Sequence, residues 1–317
     1  MGMRGQVQQD THWRDLVRGI ATDKLSGAGE LAKKCASLLI TFTEQEHPLS
    51  VEAVRTSVAQ TAAYILEAQG SMAPVVRIFN DVLLAINDAT AVRAAIDELR
   101  RIAHESIALV EHASQLVSEG TLQILPSTGT ILTISYSAAV ARALSLANRY
   151  GYQLRVVCLE SRPKFEGRKL AAFLSKRGVD VELKIDAAAF DALRTSDLVL
   201  VGADSLTDTG VINKIGTAGI AVCAKYIGVN SFVVADRSKI WPAELGTAPL
   251  PKQEVTEIWE RVPRGVNIDN KYFELTPWEL LAGAITERGE TTAADIAQES
   301  RSLEVSDAIK AIIDTLR

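Results

Sequence analysis

Through the first third of the chain, apolar residues recur every three or four positions. Leu31, Cys35, Leu38, Leu39 and Phe42 form one stripe, and Val92, Ile96, Leu99, Ala103, Ile107 and Val110 form another. That spacing belongs to amphipathic helices that bury one face. Segments 50–69 and 73–87 also read as helices, separated by Gly70-Ser71. Ser26, ahead of the small residues of SGAGE, is expected to N-cap the helix of the first stripe. No strand pattern interrupts this region, so residues 1–120 are expected to form a helical N-terminal domain.

After Ser118-Glu119-Gly120 the texture changes. Short apolar runs, ILTI (131–134), LRVVCLE (154–160), VDVELKI (179–185), DLVLVG (197–202) and SFVVAD (231–236), alternate with helical stretches near 137–149, 165–177, 187–194 and 216–228. Strands continuous in Val, Leu and Ile are buried on both faces, and the alternation with helices predicts a parallel, doubly wound α/β sheet. Residues 121–317 are assigned to this second domain. Its tail from Thr291, with Ile296, Leu303, Val305, Ile309, Ile312 and Ile313, reads as one or two helices.

Composition then removes function classes. A net charge of −5 gives no electrostatic footprint for nucleic acid. The three cysteines, Cys35, Cys158 and Cys223, lie in apolar runs without CxxC spacing, which fits free core thiols in a reducing compartment. Four histidines without an HExxH pattern or a Cys/His cluster argue against zinc. The opening MGMRGQVQQD lacks the apolar core of a signal peptide, and no apolar run reaches eighteen residues. A cytoplasmic protein with no membrane partner, no metal and no cofactor is expected.

In open parallel sheets, ligands sit beyond the carboxyl ends of the strands. Ser135 and Ser137 follow the first run, Arg162, Lys164 and Arg168 the second, and Asp204, Asn213 and Lys214 the fourth. Exposed helix N–H groups and the dipole behind them suit phosphate oxygens. Arg162 is suited to a bidentate grip, and Lys214 to a point charge beside it. Each residue also has a plainer role. Ser135 and Ser137 can cap the next helix, Lys164 and Arg168 can be solvated, Arg162 can pair with Glu160 or Glu166, and Asp204 can close its own turn. Neither GxGxxG nor a Walker-type loop is present.

The segments ILTISYS (131–137), LESRPKFEGRKLA (159–171), and VGAD (201–204) with INKIGT (212–217) and AVCAK (221–225) resemble the alpha/beta/delta subunit family of eukaryotic initiation factor 2B. DKLSGAGELAKKCASLL (23–39) and YFELTPWELLAGAITERGE (272–290) extend the resemblance over most of the chain. That family shares its fold with methylthioribose-1-phosphate isomerase and archaeal ribose-1,5-bisphosphate isomerase. The resemblance implies a helical N-terminal domain, a Rossmann-like second domain that forms dimers, and a phosphosugar pocket between the two. It implies ligand contacts at Asn213, Lys214, Arg162, Ser137, Gly27 and Ala28, and acid–base work at Asp204. Where the isomerases carry a catalytic cysteine this chain has Ser135. Ser26-Gly27-Ala28 replaces an Arg-Gly-Ala segment, and Glu166 replaces a glutamine.

A serine hydroxyl is far less acidic than a thiol of pKa ~8.5 and does not supply a proton or an anion easily near neutrality. Loss of the arginine removes a charge-assisted contact worth roughly 1.5–3 kcal/mol. The expected function is an initiation-factor-2B-like homo-oligomer that binds a phosphorylated sugar or nucleoside monophosphate without thiol-dependent isomerisation. The alternative is an aldose–ketose isomerase acting on a phosphorylated ribose, with Asp204 as proton shuttle and Ser135 or a water in the thiol's place. A third reading is an interaction protein whose strand-end residues only cap helices.

Overall fold

The computed structural model describes residues 12–317, so the polar opening segment MGMRGQVQQD lies outside the described residues. The chain divides into two compact units. One takes the chain up to Glu111 together with Trp241–Pro249 and Arg301–Arg317, and the other takes His112–Ile240 and Leu250–Ser300.

The first unit is helical, with α1 (His12–Ala21), α2 (Ala28–Gln45), α3 (Val51–Gln69), α4 (Ala73–Ala85) and α5 (Val92–Thr121), whose last turns belong to the second unit. All five stripe residues of α2 are buried. The buried seam of α5 is narrower than its stripe: Ala95, Leu99 and Ala103 are buried, while Val92, Ile96, Ile107 and Val110 are half-buried. The expected cap at Ser26 is displaced. Gly27 is the N-cap of α2 and makes no side-chain cap bond. Asp23 Oδ1 accepts the N–H groups of Leu25 (2.9 Å) and Ser26 (3.0 Å), and the Ser26 hydroxyl accepts from Lys34 Nζ (2.9 Å). A carboxylate forms the stronger, charge-assisted bonds, so it shapes the turn and leaves the hydroxyl to the lysine.

The second unit opens with β1 (Thr128–Ile134), α6 (Ala138–Arg149), β2 (Gln153–Leu159), α7 (Glu166–Ser175), β3 (Asp180–Lys184), α8 (Ala189–Leu193) and β4 (Leu198–Val201). A hairpin of β5 (Ser205–Leu206) and β6 (Gly210–Lys214) follows, then α9 (Thr217–Ile227), β7 (Asn230–Val234), β8 (Phe273–Pro277), β9 (Gly283–Thr286), β10 (Gly289–Thr291) and α10 (Ala293–Ser302). The main sheet has seven strands in the order β10-β9-β7-β4-β1-β2-β3, parallel except where β10 runs against β9. Chain order therefore winds from β1 through β2 to β3 in one direction, and from β4 through β7 to β9 in the other. The switch point lies between β1 and β4, which pair at Ile131–Leu198 and Leu132–Val199. Ile131, Val156, Cys158, Leu198 and Leu200 pack with Val140 and Leu144 of α6 and Leu170 and Leu174 of α7 to form its core. Among the described residues no helix is long and apolar enough to cross a membrane.

Two features exceed the sequence expectation. A second, antiparallel sheet joins β5, β6 and β8, and the β9–β10 pair lengthens the main sheet. The closing segment, read from sequence as the end of the sheet domain, groups with the helical unit over Arg301–Arg317. It carries α11 (Asp307–Thr315), and Asn80 of α4 ties it down. The Asn80 amide donates to Glu304 O (2.9 Å), and its Oδ1 accepts from Ser306 N (2.9 Å).

Gly167 lets α7 start against the end of β2, because a Cβ at this position would stand 1.7 Å from Leu159 O. Gly167→Ala is expected to cost about 3 kcal/mol in urea unfolding. Gly219→Ala, at a helical position where an added Cβ meets nothing within 4 Å, is expected to raise stability by up to about 1 kcal/mol.

Candidate functional site

Three strand ends meet at the carboxyl edge of the main sheet. At the end of β1 the backbone of Ser135 is left-handed (φ 68°), and its N–H donates to Ser161 Oγ (2.7 Å). Ser161, past β2, is left-handed too (φ 66°), and its N–H donates to Asp186 Oδ1 (2.7 Å). The hydroxyl of Ser137 accepts from Val140 N (3.4 Å) as the N-cap of α6, so its capping role is real. Gly202, past β4, lies so close that a Cβ there would stand 2.5 Å from Ser137 Cβ. Ser137 therefore stands at the switch point.

Beyond β4, the half-buried carboxylate of Asp204 makes no hydrogen bond among the described residues, so it does not close its own turn. Its backbone N–H donates to Ile212 O (2.8 Å), which fixes it to the hairpin. Burial pushes its carboxyl up to about 6; Lys239 pulls against this, Glu166 adds to it and Lys214 opposes it. Lys239, Glu166 and Lys214 thus all act electrostatically on Asp204.

Lys214 ends β6 and is 1% exposed. Its ammonium donates to both oxygens of Glu166, at 2.9 and 3.0 Å, and stands 5.3 Å from the centre of the Tyr272 ring. Strand alternation puts Asn213 on the opposite face of β6. There its amide donates to Thr217 Oγ1 (3.0 Å) at the start of α9. Lys239, buried in the turn after β7, donates to Ala203 O (2.6 Å), next to Asp204.

Arg162 is exposed and bonds to neither Glu160 nor Glu166. Its guanidinium donates to Ile258 O (3.3 Å) and lies 5.2 Å from the Phe165 ring centre. Glu160 is engaged by Arg168 (2.7 Å) and Lys164 by Glu257 (3.5 Å), so neither cation is simply solvated. Glu257 also accepts from Tyr272 OH; burial, then Glu257, Glu166 and Glu254, hold that phenol well above its ordinary pKa. Arg162 thus reaches the neighbourhood of Lys214 through the 255–258 turn. Gly27 and Ala28 stand at the N-terminus of α2, in the first unit.

Cys35 and Cys158 are buried, and burial raises the Cys158 thiol to about 12; Cys223, expected in the core, is half-buried on α9. Among the described residues no group of three or more His, Cys, Asp or Glu is arranged to hold a metal ion.

Lys239, Glu257 and Tyr272 escaped the sequence reading. The signal for Lys239 was available, since SFVVADRSK continues past a predicted strand end in the same way as VGAD. Residues 250–271 carry neither period, so nothing in sequence marked Glu257, and Tyr272 was read only as the first residue of the family-like segment 272–290.

The family model described as "Initiation factor 2 subunit family" matches residues 24–293. A protein of Pyrococcus furiosus named as a translation initiation factor eIF-2B subunit 2-like protein is 31% identical over 86% of this chain and 94% of its own length. A ribose 1,5-bisphosphate isomerase of Thermococcus kodakarensis is 28% identical over 87% of this chain and 89% of its own. The crystal structure of the Pyrococcus horikoshii translation initiation factor eIF-2B superposes with a TM-score of 0.75 at 25% identity, covering 88% of this chain and 96% of that one.

The Asp204 carboxyl rises from 3.8 to about 6 on folding, so the folded state binds the extra proton. Stability from this group is complete below pH 4 and is lost as pH rises through 6. Asp204→Asn is therefore expected to be more stable than the parent at pH 7.5, by up to about 3 kcal/mol. The gap should close below pH 4, as followed by thermal melts across pH.

Proposed function

The chain belongs to the initiation factor 2 subunit family, whose members include eIF-2B-like proteins and a sugar-phosphate isomerase, and from that premise we propose that it binds a phosphorylated sugar or nucleoside monophosphate at the carboxyl edge of its sheet, without thiol-dependent isomerisation. The observation that carries this reading is the placing of two buried ammonium groups, Lys214 and Lys239, around Asp204 beside the switch point. Glu166 holds Lys214, whereas among the described residues Lys239 donates to a single backbone acceptor, Ala203 O, beside Asp204, and a buried ammonium is costly unless its remaining donors find acceptors. Ser135 and Ser137 add hydroxyls at the end of β1, and the N-terminus of α6 adds N–H donors. Ser135 stands where the resemblance puts the isomerase thiol, which argues against the standard reaction. The reading includes self-assembly into a homodimer or larger homo-oligomer, supported by the exposed apolar side chains of Val222, Tyr226 and Leu275 on the second unit.

One observation favours the isomerase alternative. Asp204 combines a raised pKa with a carboxylate that accepts no hydrogen bond among the described residues, and a general acid–base group works best with its pKa near the working pH.

A thermal-shift panel of ribose 5-phosphate, ribose 1-phosphate and nucleoside monophosphates, followed by assay of the stabilising compounds for aldose–ketose turnover, separates the readings. The expected result is stabilisation without turnover, and loss of the shift in Lys239→Met. Turnover that falls ~10²–10⁴-fold in Asp204→Asn would establish the isomerase, and a panel with no shift at millimolar concentration would refute the pocket.

A further inference from the structure

Lys214 is buried to 1% exposure, yet it is not an uncommitted cation: both oxygens of Glu166 lie within 3.0 Å of its ammonium. Glu166 comes from the first turn of α7, across the strand ends from β6. An ammonium has three donors and two are taken, so the third suits a neutral acceptor such as a sugar hydroxyl. The surroundings reinforce this. Glu257 accepts from Tyr272 OH, the Tyr272 ring covers Lys214, and Asp204 feels the charge of Glu166. The end of the site at Lys214 is therefore rich in carboxylates, and its cation is already neutralised by a built-in anion.

Resting on the ligand class proposed above, we infer that Glu166 is a specificity-determining residue that makes the site select singly phosphorylated sugars over doubly phosphorylated ones. It places an uncharged, hydroxyl-bearing part of the ligand at Lys214 and excludes a second phosphate from that end. A phosphate dianion brought to Lys214 would face the Glu166 carboxylate at close range. Even with the dielectric of a half-wet site, that repulsion lowers affinity about tenfold or more. A glutamine at this position keeps the shape and one acceptor oxygen but leaves the Lys214 charge uncompensated, which attracts the second phosphate.

The test is calorimetric titration of ribose 5-phosphate and ribose 1,5-bisphosphate into the full-length protein and into Glu166→Gln. The parent is expected to bind the monophosphate at least as tightly as the bisphosphate. Glu166→Gln is expected to shift the ratio of the two dissociation constants toward the bisphosphate by about tenfold or more. An unchanged ratio in the variant overturns the inference. So does a parent protein that binds the bisphosphate ten times more tightly than the monophosphate, a result that decides the matter even if the variant does not fold. Neither of those results touches the pocket itself. If the parent binds no sugar phosphate at all, the ligand class proposed above falls, and this inference falls with it.

Discussion

An ammonium buried to 1% exposure constrains everything around it. Lys214 cannot stay charged inside the protein without a carboxylate at hydrogen-bond distance, and breaking such a pair typically costs 3–5 kcal/mol. Glu166 supplies the partner, which in turn dictates where α7 begins. The helix has to start where its first residue reaches β6, against the carbonyl of Leu159. Gly167 makes that approach possible because it has no Cβ to strike the carbonyl. Phe165, left-handed at φ 58°, turns the chain into the helix just before. One ion pair thus connects the antiparallel hairpin to the α7 edge of the parallel sheet.

The main sheet was legible because parallel strands buried on both faces must be written in Val, Leu and Ile, and runs such as LVLV and RVVC say little else. The carboxyl edge followed, with Ser137 and Asp204 just past its strands, whereas the strand order and the switch point between β1 and β4 were not read from sequence. The second sheet was not legible. β5 has two residues, and β6, GVINK, mixes apolar and polar side chains that are all buried, so neither alternation nor a continuous run appears. Asn213 and Lys214 consequently read as a turn before a helix when they lie on a strand. The same limit hid the partner of Lys214. Glu166 and Lys214 are 48 residues apart, and a pairing over that distance is a property of the topology with no local pattern to announce it. Ser26 shows the opposite failure: a good local signal lost to a stronger neighbour, Asp23.

Glu166 and Asp204 meet different surroundings at this edge. Glu166 has both oxygens on the Lys214 ammonium. Asp204 accepts no hydrogen bond among the described residues, feels the charge of Glu166, and is lifted to about 6 chiefly by burial. A carboxyl lifted in this way can exchange a proton near neutrality. That chemistry is therefore available to an isomerase, while Ser135 withholds the thiol such a reaction would use beside it. On the proposed reading, Ser135 at the end of β1 tilts this frame toward binding.

Helix N-termini complete the electrostatics, though unequally. That of α9 is taken: Glu274 Oε1 accepts from Gly216 N (2.7 Å) and Ala218 N (2.9 Å), and β8 brings Glu274 there by pairing with β6 at Asn213. That of α7 carries Glu166 in its own first turn, so its dipole already faces an anion. At α6 the only side-chain cap is the Ser137 hydroxyl, a neutral group on Val140 N, and no carboxylate from its own first turn lies there. Of the helix starts after β1, β2 and β6, the one after β1 has no carboxylate bonded to it among the described residues. On the proposed reading, an anion at this edge goes to the switch point, and the Lys214 end, paired from within with Glu166, takes the uncharged remainder of the same molecule.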